Sequence, residues 1–143
     1  MTKSPIQDTT SKQEQPSDFI VFLVFKMQKE SDSISNSIQL IDQIIKPGKM
    51  KTGTEAESTI YSENYLTIDV YQNNQLLKTI LKEHPLYKHI EYTDDNNHLT
   101  SKNIEVKQDD FFIRLQKNET PIQVKISEIV KNNPKKELLI LKI

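Results

Sequence analysis

The chain is 143 residues long, 35% hydrophobic and 27% charged, with a formal net charge of −1. That length and apolar content build one modest core, and the near-neutral charge excludes a strongly basic nucleic-acid or membrane-surface binder. The absence of cysteine excludes a disulfide scaffold, a thiolate zinc site, a cysteine nucleophile and an iron–sulfur cluster, while one arginine (Arg114) and two glycines (Gly48, Gly53) leave neither an arginine cluster nor a glycine-rich phosphate loop.

Residues 1–17 are polar, contain Pro5 and Pro16, and lack the apolar core of a secretory signal. They are expected to form a flexible tail before one globular domain, residues 18–143. Residues 19–28 (FIVFLVFKMQ) are aromatic, β-branched and continuously apolar, the pattern of a strand buried on both faces. The longest apolar run, Phe19 to Phe25, is far shorter than the roughly 20 residues that span a bilayer. A soluble intracellular protein with no membrane partner is therefore expected.

Residues 33–46 (SISNSIQLIDQIIK) are tested against both periods. Wound at about 100° per residue, Ile34, Ile38, Leu40, Ile41, Ile44 and Ile45 share one face. With period two, Ile41 and Ile45 fall opposite the others, so a helix is predicted, stopped by Pro47-Gly48. Residues 49–63 read as a long polar loop. Tyr65 to Gln72 alternates as a strand, with Leu66, Ile68 and Val70 on one face. After Asn73-Asn74 the spacing of Leu76, Leu77, Ile80 and Leu81 favours a helix over 74–83, against a tight hairpin turn into a strand.

Tyr87–Thr93 and Asn103–Lys107 are short strands around the polar turn Asp94-Asp95-Asn96-Asn97, and Phe111–Gln116 is another. Residues 121–131 (PIQVKISEIVK) lean to a helix with Pro121 at its first position. Glu137–Ile143 closes the chain as a second apolar strand. The predicted class is α+β: a mixed sheet of five or six strands with two or three packed helices, and the two terminal apolar strands side by side in its interior. The alternative is an all-β sandwich or barrel, which holds if 33–46, 74–83 and 121–131 are extended.

Candidate chemistry is sparse. His84, His89 and His98 sit near Glu83, Glu91, Asp94 and Asp95, but lack the spacing of a metal site. Asp94–Glu105 matches a calcium loop at its first, third and twelfth positions, yet Leu99 replaces the glycine that its sharp turn needs. A hairpin turn fits better. No catalytic constellation, cofactor or metal is expected, and the chain is not expected to be an enzyme. The expected function is that of a non-catalytic subunit or adaptor in a larger protein assembly. Its contacts would come from Phe19, Val21, Leu23 and Phe25 of the first apolar strand and Leu139 and Leu141 of the last, since such strands must be covered or paired. The second reading is an OB-like module binding single-stranded nucleic acid through Tyr65, Tyr71, Tyr87 and Lys88.

Overall fold

In a computed structural model, the structure describes residues 17–30, 35–51 and 63–143. The expected tail, apart from Ser17, residues 33–34 of the first predicted helix and residues 52–62 of the expected loop lie outside the described residues.

The chain runs β1 (Phe19–Lys29), β2 (Asn36–Pro47), β3 (Tyr65–Gln72), β4 (Gln75–Glu83), β5 (Tyr87–Thr93), β6 (Leu99–Glu105), β7 (Gln108–Lys117), β8 (Gln123–Ile129) and β9 (Lys136–Lys142). Three strands form one sheet in the order β2-β1-β7, and four form a second in the order β4-β3-β8-β9. The remaining pair, β5-β6, is a separate two-stranded ribbon. Every pairing is antiparallel.

The α+β prediction is thereby overturned, since no helix occurs among the described residues and the all-β alternative is the architecture found. The three predicted helices are the strands β2, β4 and β8. Two of the misreadings share one cause. Val24 pairs with Asp42 and Phe25 with Leu40, so Ile41 is an extra residue in β2. Val70 pairs with Lys78 and Tyr71 with Leu76, so Leu77 is an extra residue in β4. A β-bulge of this kind shifts the alternation by one residue and turns a period of two into the adjacent-apolar spacing of a helix. In β8, Val124 and Ile126 follow plain alternation into the core, and Ile129 lies on the opposite face.

The core lies between the two larger sheets. Val21, Leu23, Phe25 and Met27 of β1 and Phe111, Ile113 and Leu115 of β7 meet Leu66, Ile68 and Val70 of β3 and Val124 and Ile126 of β8. Phe25 and Phe111 face each other across β1 and β7 and stack with ring centroids 5.1 Å apart. Such cross-strand aromatic pairs fix register as well as burying area.

β1 was expected to be buried on both faces. Instead Val21, Leu23, Phe25 and Met27 are fully buried, and Ile20, Phe22, Val24 and Lys26 on the other face are half-buried. The terminal strands do not lie side by side. β1 is the centre of one sheet, and β9 is the edge of the other.

Candidate functional site

The outer face of the three-stranded sheet follows from its register, since directly paired residues project to the same side. Ile44, Phe22 and Arg114 form one row, and Asp42, Val24 and Phe112 the next. Lys46, Ile20 and Gln116 lie beyond Phe22, and Gln39, Lys26 and Asp110 beyond Val24. Ile20, Phe22, Val24, Ile44 and Phe112 thus make a continuous apolar stripe with charges around it. Phe112 is 56% exposed and Ile44 42%. A grouped apolar surface differs from scattered exposed side chains, because grouping is the mark of contact sites.

The same sheet has a second unusual feature. β2 reaches the core through Ile38 and Leu40, and from Ile41 to Pro47 every residue is exposed. Ile45 projects to the core side, opposite Val21, yet is 45% exposed. The second half of this edge strand is therefore open on both faces.

A polar cluster sits at the other end of the sandwich. Glu128 of β8 is buried, and its Oε2 accepts from His84 Nε2 at 2.7 Å and from Asn36 Nδ2 at 2.9 Å. His84 Nδ1 accepts from the Leu86 amide at 3.2 Å, which places the ring proton on Nε2. Burial pushes the Glu128 carboxyl up; the bonds from His84 and Asn36 outweigh it, Lys136 adds its charge, and the carboxyl lies below the ordinary glutamate range. A cleft of about 430 Å³ opens beside it, lined by Ser35, Tyr87, Glu128, Val130 and Lys136 among others. Both ring nitrogens of His84 and the inner carboxylate oxygen are engaged, so the cluster ties β2, β8 and the β4–β5 corner together.

The ribbon β5-β6 is fixed at its base. Lys29 Nζ donates to the Tyr87 hydroxyl at 2.8 Å and pairs with Glu105, while Lys88 pairs with Asp109. The tip is an Asx turn, where Asp94 Oδ1 accepts from the amides of Asn96 and His98, each at 2.9 Å.

The residues nominated from sequence fall as follows. Val21, Leu23 and Phe25 have no exposed surface, and their packing partner is the facing sheet of the same chain. Leu139 and Leu141 of β9 are half-buried against that core, and Phe19 is half-buried beneath Lys117, 5.9 Å from its ring centroid. Tyr65 and Tyr71 lie on the outer face of the four-stranded sheet, with Lys125 Nζ 5.5 Å from the Tyr71 ring centroid. Tyr87 packs its edge on His84, and Lys88 is held by Asp109. These four do not share a surface, and the two-sheet order is not that of a five-stranded barrel.

The histidines also separate. His84 is buried, His89 bonds Asn103 across the ribbon, and His98 stands exposed at its tip. Among the described residues no group of three or more His, Asp or Glu side chains could hold a metal ion. Sequence reasoning missed Glu128, Asn36 and the outward residues Phe22, Val24, Ile44 and Phe112 as a set. Only a correct strand reading of 36–47 would have aligned them.

No helix among the described residues is long and apolar enough to cross a membrane. No family model, curated protein or solved structure matches the chain.

Proposed function

We propose that the protein is a non-catalytic subunit of a larger protein assembly, docked through the outer face of the three-stranded sheet. The observation that carries this reading is the apolar stripe of Ile20, Phe22, Val24, Ile44 and Phe112. Its rim mixes Lys26, Lys46 and Arg114 with Asp42 and Asp110. An apolar centre with a charged rim is the anatomy of a protein–protein contact. The contact falls on the residues between the buried ones of β1, since the core uses Val21, Leu23 and Phe25.

The test is the native mass of the tagged chain purified from its source cells. Wild type should elute in a complex heavier than two copies of itself. In the double variant V24K/F112E the new side chains sit opposite each other across β1 and β7, so the sheet keeps a complementary cross-strand pair while its face turns polar. That variant should keep its melting temperature and elute at low mass. A wild-type chain found only as a monomer or dimer would sink the reading.

A further inference from the structure

We infer that β2 is a self-pairing edge, and that two copies of this chain join through it into one six-stranded sheet. The relevant segment is Asp42–Lys46. Asp42, Ile44 and Lys46 project to the outer face and Gln43 and Ile45 to the other, all five are exposed, and among the described residues no strand pairs with the far side of β2.

Antiparallel self-pairing fixes the partner of each residue once the residue on the twofold axis is chosen. With Ile44 on the axis, it meets its own counterpart, Asp42 of each copy meets Lys46 of the other, and Gln43 meets Ile45. Both ion pairs form at once because aspartate and lysine are equally spaced about Ile44. Neither Asp42 nor Lys46 has an ion-pair partner among the described residues. Opposite charges directly across a strand pair stabilise it, and like charges oppose it. The same register sets Phe22 and Ile44 of one copy in line with Ile44 and Phe22 of the other, so the apolar stripe continues across the axis.

The other sheet's edges are less suited. β4 carries its bulge at Leu77, with Lys78 and Lys82 beside it. β9 has a bulge at Leu138 and lysines at both ends. Bulges and edge lysines are the usual guards of a free edge. In β2 the bulge at Ile41 lies outside the pairing segment, and its charges are self-complementary.

This inference stands apart from the assembly reading above, because it concerns the sheet's edge and a second copy rather than its face and a different protein. One short strand pair is a small interface, so the dimer should depend on concentration. Light scattering and sedimentation velocity on the purified chain test it. Wild type should move from one to two copies as concentration rises. D42K and K46D each place like charges opposite each other and should weaken self-association by about tenfold or more. Mixed together, the two variants should form a heterodimer, since the lysines of one face the aspartates of the other. The double variant D42K/K46D should dimerise with itself again. Both side chains are on the surface, and unchanged melting curves will confirm intact folding. A wild type that stays monomeric up to its solubility limit, or single variants that dimerise as wild type does, would overturn the pairing without bearing on V24K/F112E.

Discussion

At the scale of residues, Glu128 shows most directly how burial and hydrogen bonding compete. Its carboxylate is enclosed, and two donors, His84 Nε2 and Asn36 Nδ2, converge on one oxygen. Breaking such a buried pair by removing one partner leaves a desolvated charge, so H84A should cost about 3–5 kcal/mol in urea unfolding at neutral pH. E128Q keeps an acceptor for both donors and should cost less. The pH dependence has a definite sign. The folded carboxyl lies below the ordinary range, so its contribution is present above the unfolded value and is lost as pH falls through the folded one. Wild-type stability should therefore decline in acid more steeply than that of E128Q. Parallel acid curves for the two proteins would show that this carboxylate does not govern the decline.

At the scale of elements, the sequence was legible where alternation was unbroken and misleading where a bulge reset it. β3 shows Leu66, Ile68 and Val70 at strict period two and was read correctly, as were β5 and the turn at Asp94–Asn97, whereas β6 begins at Leu99 and not at the expected Asn103. β2 and β4 each contain one extra residue, and that single insertion made Ile41 and Leu77 look like members of a helical stripe. The local signal against the second of those helices was Asn73-Asn74. Both residues have positive φ, 53° and 66°, as a type I′ turn requires of its two central positions. Asparagine tolerates that region and β-branched residues do not. N74G should stabilise the protein by a few tenths of a kcal/mol and N74V should destabilise it by about 1–2 kcal/mol, read from thermal unfolding. The outer-face site was illegible for the same reason as the fold. Phe22, Ile44 and Phe112 come from three strands, and their alignment exists only once the register is known.

At the scale of the whole molecule, stability should be uneven, because the sandwich and the ribbon are held by different forces. β1, β3 and β8 are inner strands whose side chains build the core. Among the described residues β5 and β6 pair only with each other, and a lone two-stranded ribbon is marginal in water. What holds it is the base: the backbone bond from the Val106 amide to the Leu86 carbonyl at 2.9 Å, the Lys88–Asp109 pair, and Lys29 between Tyr87 and Glu105. Burial pulls the Lys29 ammonium down, but its bonds to Glu105 and Tyr87 outweigh that and hold it above the ordinary lysine range. Its contribution is thus complete through neutral pH and is lost only as pH rises through the raised value. Asp109 is held below its ordinary range, chiefly by its bond to Lys88, so that tie weakens in acid. Amide exchange should be fast along Tyr87–Glu105 and slow in β1, β3 and β8. K29M keeps the aliphatic stem and removes the ammonium, and it should speed exchange in the ribbon while leaving the inner strands unchanged. If K29M accelerates exchange throughout the sandwich as well, ribbon and body unfold as one unit, and the base contacts are part of the global fold.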